Sequence, residues 1–280
     1  MAGNPPQEAV LMAQAPASEP TLMFHVPHGQ IVTEPAPAQE KKRCHRRKHD
    51  FHWLDYRGIL MTSVLEGVAS YAFLFISLLV SSTTAYGFST IGIVNGLAYA
   101  AISFLTGALI NPMFSLTKVV AWRMSVLFFL AHIVSQFIGA LLAAVTLRWL
   151  PGVHIDLAVP ELAASVPQWA GLILEFIGGY ILGLLILVAV YRGWNASRAF
   201  LIGLGYGAVI VALGPLTSGC LNPYRALAAS LFTYFNSECW VYYVAWLISA
   251  VLAGIMTLIL HLDHVHEKLP DGEMETRKSK

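Results

Sequence analysis

Apolar residues occupy this chain in six long runs, broken by short stretches where prolines and charges collect. The runs fall at about 59–81, 91–106, 124–148, 169–191, 198–214 and 240–261, each near the roughly 20 helical residues that a hydrocarbon core requires. Six transmembrane helices are predicted. Two apolar segments between the runs are too short to cross: TGALINPMFSL, with Asn111-Pro112, and SGCLNPYRALAASL, with Asn222-Pro223. A proline at the first position of a helix lacks an amide that would have been unpaired anyway. An Asn-Pro start at membrane depth therefore predicts a half-helix buried inside the protein.

The layout occurs twice. Glu66 in the first run precedes Asn111 by 45 residues, and Glu175 in the fourth precedes Asn222 by 47. Three spans per half place the second half upside down relative to the first. The two half-helices then meet head to head near the midplane in an inverted repeat. The expected fold is an all-α membrane protein with six transmembrane helices and two re-entrant half-helices.

Composition agrees with a bilayer solvent, at 56% hydrophobic and 12% charged residues. The net charge of +1 hides an uneven distribution, because Lys41-Lys42-Arg43 and Arg46-Arg47-Lys48 stand directly before the first run. Basic residues flanking a span mark its cytoplasmic side, so the N-terminus is expected there, and six crossings return the C-terminus to it. Residues 1–50 are rich in proline and poor in large apolar side chains, which reads as disorder, and no cleavable signal peptide is visible. The expected organisation is a basic cytoplasmic tail over 1–56, a membrane domain over 57–262 with repeats at about 57–150 and 165–262, and a cytoplasmic tail over 263–280. Cys44, Cys220 and Cys239 lack any CxxC spacing and suggest neither a disulfide framework nor a metal site. No nucleic-acid partner is expected.

The half-helix starts carry the chemistry. Each exposes amides without intrahelical partners and about half a positive charge. An asparagine capping such an end accepts from its own helix and keeps NH2 donors for something else, so Asn111 and Asn222 offer converging donors to a small solute. Glu66 and Glu175 are costly in hydrocarbon unless paired, and are read as braces accepting the re-entrant backbone amides, together with Pro112 and Pro223 as helix starters. A proton relay would need a chain of titratable groups, and His132 is the other obvious candidate in the spans. Arg225, one turn after Asn222, would face the outer mouth, repel cations and donate to neutral solutes.

On these residues the chain resembles the aquaporin (major intrinsic protein) family across about 57–262. The two Asn-Pro boxes, Glu66 and Glu175, Gln136 and Gly139 in the third span, Gly214-Pro215 leading into the second box, and Arg225 carry the resemblance. It implies a six-helix bundle with a pore in each protomer, a homotetramer in the bilayer, and passage of water or small neutral solutes without cofactor or catalysis. It also implies a narrow filter built from Ile91, Ile210, Gly219 and Arg225. The family's usual alanine after Asn-Pro is replaced by Met113 and Tyr224. These NPM and NPY boxes make an unorthodox member, in which the two side chains are expected to shift the asparagines or narrow the midpoint.

Leu109 stands where a histidine is common, and Ser218 where a glycine is. Two isoleucines in the filter favour a larger, partly apolar solute. However, Ala226 replaces the acid that follows the arginine in glycerol-conducting relatives. Water, hydrogen peroxide, ammonia and glycerol all stay open. A non-conducting structural or adhesion protein, or a secondary transporter on the same repeat, are the competing readings. The terminal Arg277-Lys278-Ser279-Lys280 resembles a dibasic retrieval signal, which leaves the endoplasmic reticulum beside the plasma membrane as the compartment. Asn195-Ala196-Ser197 fits a glycosylation acceptor on the side expected to be cytoplasmic.

Overall fold

A computed structural model describes residues 56–191 and 196–260. The basic run, Asn195 and both tails lie outside them. Among the described residues, six helices are long and apolar enough to cross a membrane: α1 (Tyr56–Ser81), α2 (Phe88–Thr106), α4 (Val126–Trp149), α5 (Gln168–Tyr191), α6 (Ala196–Thr217) and α8 (Cys239–Ile259). Two short helices, α3 (Pro112–Val120) and α7 (Pro223–Leu231), start at the Asn-Pro pairs. A 3₁₀ turn at Ile155–Ala158 sits in the connection between the repeats.

The ends of these helices follow from local chemistry. Asn111 and Asn222 cap α3 and α7 by accepting the amides of Met113 and Tyr224, both at 3.0 Å, and proline follows each cap. Gly107 ends α2 in a left-handed conformation at φ 69°, with its amide returned to the Ser103 carbonyl. The end of α6 differs from the sequence reading. Helix α6 does not stop at Gly214 but runs through Pro215 to Thr217, where the missing proline amide costs one bond in a last turn. That turn stays closed by the Ser218 amide on the Gly214 carbonyl at 2.9 Å.

The packing repeats with the sequence. Helix α1 lies against α4 in the first half, and α5 against α8 in the second. Across the halves α2 lies against α6, α3 against α8, and α4 against α7. Each half-helix is thus gripped by the last helix of the opposite repeat. The α2–α6 seam is close because small residues meet there, as a Cβ on Gly96 would stand 2.6 Å from the Gly203 carbonyl. In lipid no hydrophobic force drives such pairs together, so close van der Waals approach has to supply the attraction.

Gly96→Leu should therefore separate α2 from α6 and cost about 1–3 kcal/mol. A clear fall in Tm in detergent is the expected readout. Gly87→Ala, where no atom lies within 4 Å of a new Cβ, should unfold near the wild-type temperature.

Candidate functional site

The two re-entrant turns are held by carboxylates. Glu66 Oε1 accepts the Leu109 amide at 2.7 Å, and Oε2 accepts the Ile110 amide at 2.9 Å and Gln136 Nε2 at 2.8 Å. In the second repeat Glu175 Oε1 accepts Thr217 Oγ1 at 2.6 Å and the Cys220 amide at 3.0 Å, while Oε2 accepts the Leu221 amide at 3.0 Å. Both carboxylates are buried. The residue before each asparagine is bent into the left-handed region, Ile110 at φ 64° and Leu221 at φ 55°. Such backbone costs about 1–3 kcal/mol per residue in a non-glycine. Hydrogen bonds to a charged group contribute about 1.5–3 kcal/mol each, so the two amide bonds per turn outweigh the strain.

Bending these turns brings the asparagines together. Asn111 Nδ2 donates across the repeat interface to the Leu221 carbonyl at 2.9 Å, and Asn222 Nδ2 donates to the Ile110 carbonyl at 3.4 Å. This corrects the expectation that both amide groups keep all their donors for the lumen. One hydrogen of each NH2 is committed to the opposite turn, which leaves the other as a second donor.

A second correction concerns the residues after each Asn-Pro. Tyr224 Oη donates to the Ile133 carbonyl on α4 at 2.9 Å, and its ring lies 5.5 Å from that of Phe137. Met113 Sδ lies beside Gly179 on α5, where an added Cβ would sit 3.1 Å away. The two side chains pack into the opposite repeat instead of narrowing the midpoint.

Of the four residues expected at the outer constriction, Arg225 is 3% exposed, with Nη2 donating to Ser81 Oγ at 3.0 Å and Nη1 to the Ser218 carbonyl at 3.4 Å. Gly219, at φ 52°, lies directly against Ile210, with room of only 3.1 Å between its would-be Cβ and the Ile210 Cα. Ile91 and Ile210 are buried on α2 and α6. Ser218 itself is strapped to the connection between the repeats. Its Oγ donates to the Glu161 carbonyl at 2.8 Å, and the Glu161 carboxylate accepts Tyr234 Oη at 2.6 Å, a bond that pushes this phenol up to about 12.

Some partners escape spacing arguments. His132 Nδ1 lies 3.4 Å from Glu66 Oε1, and Nε2 lies 3.3 Å from Thr62 Oγ1, so Glu66 has a titratable neighbour. Glu175 takes the Thr217 hydroxyl instead. The signal for His132 was its position one turn before Gln136 on the same face of α4. Four aromatic rings, Phe73, Tyr99, Phe114 and Tyr206, also meet in the interior. Among the described residues no group of three or more His, Cys, Asp or Glu could hold a metal ion.

Residues 57–257 match the Major intrinsic protein family, nearly the whole described region. The chain belongs to the major intrinsic protein family. It is similar to Aquaporin A of Dictyostelium discoideum, 30% identical over 177 residues, covering 59% of this chain and 63% of that protein. It is also similar to Aquaporin-1 of Bos taurus, 31% identical over 164 residues, covering 55% of this chain and 59% of that protein. The chain thus spans less than two thirds of the length of these curated relatives. In fold it is similar to the aquaglyceroporin from Plasmodium falciparum, with a TM-score of 0.63, 19% identity, and coverage of 71% of this chain and 95% of that one. Members of this family are membrane channels, not enzymes. The protein is accordingly an integral membrane protein with six spans and the aquaporin-like fold.

Removing a clamp tests the dependence of the turns on it. Glu175→Ala leaves three donors without their acceptor and should destabilise the protein by about 3 kcal/mol or more. Thermal unfolding in detergent measures this, and a Tm within a degree of the wild type would mean that the second turn holds itself.

Proposed function

We propose that this chain is a passive channel for water and small neutral solutes, with glycerol, hydrogen peroxide and ammonia in that class. The observation that carries the reading is the head-to-head pair of capped half-helices. Two helix N-termini point at one place, and Asn111 and Asn222 lock each other's turns while keeping a donor each. Positive ends facing each other at the midplane disfavour a cation there and favour a solute oxygen.

Family membership supports the same reading. So do buried polar atoms on the inner faces of α1 and α2. Ser77 Oγ and Asn95 Oδ1 make no hydrogen bond among the described residues, and a passing water or hydroxyl would satisfy them.

Arg225 supplies the fixed cation at the outer end, and Ile91, Ile210 and Gly219 leave the rest of that ring apolar or without a side chain. This favours neutral solutes that carry some apolar surface. The unorthodox NPM and NPY boxes are compatible with conduction, because Met113 and Tyr224 pack between the repeats. The non-conducting alternative, a structural or adhesion protein, then needs a blockade other than Met113 and Tyr224. As in the family, a homotetramer with cytoplasmic termini is the proposed assembly, with 1–56 and 263–280 as tails. The plasma membrane and the endoplasmic reticulum are the candidate compartments.

Stopped-flow light scattering on proteoliposomes tests the proposal. Vesicles with the protein should respond to an osmotic step or a solute gradient faster than protein-free vesicles, and the rate should not change with an imposed ion gradient. Response at the protein-free rate for water and for all three solutes would refute conduction, and a rate that tracks the ion gradient would point to a coupled transporter.

A further inference from the structure

We infer that the size-selecting point of this channel is the stacked pair Tyr99–Tyr206 at mid-depth, and not the outer ring of Ile91, Ile210, Gly219 and Arg225. The inference rests on the channel reading above and deepens it.

Helical spacing places the pair on the same path as the outer ring. On α2, Ile91, Asn95, Tyr99 and Ser103 recur every four residues and are all buried. On α6, Ile202, Tyr206 and Ile210 do the same. Helix α2 descends from its outer end at Phe88, and α6 rises to its outer end at Thr217. Tyr99 and Tyr206 therefore both lie inward of the ring, one to two turns down, or about 6–12 Å along the helices. On α1 the stripe Phe73, Ser77, Ser81 runs between the same two levels, with Ser81 bonded to Arg225.

At that depth the rings fill the space. Tyr99 and Tyr206 are parallel within 6°, with centroids 5.4 Å apart. Phe73 meets both edge-on, at 5.8 Å and 5.6 Å, and Phe114 from the first turn of α3 meets Tyr99 edge-on at 5.8 Å. All four are 0% exposed. Rings in contact in this way leave no water-sized gap between them. Tyr99 Oη also donates to the Leu109 carbonyl at 3.3 Å, which ties the ring to the turn that Glu66 holds. Tyr206 Oη makes no bond among the described residues, so its ring is the freer of the two.

The outer ring, buried as well, carries less side-chain bulk. Gly219 contributes no side chain, and Arg225 is drawn back onto Ser81 and Ser218. Flux then requires the tyrosine rings to part, and the width to which they part decides which solutes pass along with water.

The test measures osmotic water permeability and glycerol uptake in proteoliposomes at equal protein content. Tyr206→Val and Tyr99→Val should each raise water permeability about tenfold over the wild type, because lost ring contacts of this kind are worth about one factor of ten. Glycerol uptake should rise with it. Tyr206→Phe keeps the ring and should give a smaller increase than Tyr206→Val, and Ile210→Ala should also give a smaller increase. Phe73→Leu, which removes the ring bracing both tyrosines, is the second route should a valine variant not fold, and it should raise both rates.

Tyrosine and Phe73 variants at the wild-type rate, with Ile210→Ala faster, would move the tight point to the outer ring and overturn the inference while the channel reading stands. An increase for Tyr206→Phe equal to that of Tyr206→Val would assign closure to the hydroxyl and overturn it as well. Wild type and all folded variants at the protein-free rate would end the channel reading, and this inference with it.

Discussion

The acceptance of re-entrant backbone amides by Glu66 and Glu175 is the constraint on which the rest of the structure depends. A chain that enters a membrane domain and turns back must leave amides unpaired at a depth where water is scarce, and must bend non-glycine residues into left-handed backbone. A carboxylate with two oxygens answers both needs at once, since each oxygen takes one amide of the turn. Without it the turn would lose bonds and keep its strain. The capping asparagines, their bonds across the repeats and the placement of Arg225 all depend on turns held this way.

The two clamps are equivalent in geometry but not in company. Glu66 shares its oxygens with Gln136 and sits beside His132, whereas Glu175 takes a hydroxyl from Thr217. Thr62, Lys118, Arg123 and His132 line a cavity of about 220 Å³ next to Glu66. Near the second turn, the Ser218–Glu161 strap supplies the order instead. The frame occurs twice, with different supports for each carboxylate.

How much of this could be read from residues alone depended on the nature of the signal. The spans and half-helices were legible because length, apolarity and the Asn-Pro starts each report a constraint of the bilayer. Glu66 and Glu175 stood out because charge in an apolar run demands a partner. The orientation of Met113 and Tyr224 was not legible, since spacing places a residue on a half-helix but does not say which neighbour its side chain meets. The continuation of α6 through Pro215 was hidden by the usual meaning of proline. Tyr99 and Tyr206 were hidden for another reason: a tyrosine in an apolar run reads as a membrane-interface residue until the four-residue stripes of α2 and α6 are laid side by side.

The turn of Tyr224 toward the Ile133 carbonyl, with Met113 lodged beside Gly179, has a consequence for variation in this chain. The third letter of each box works as a peg between the two repeats. A change in its size is then read by the socket that receives it, a glycine in one half and a helix carbonyl in the other, so peg and socket are constrained to vary together.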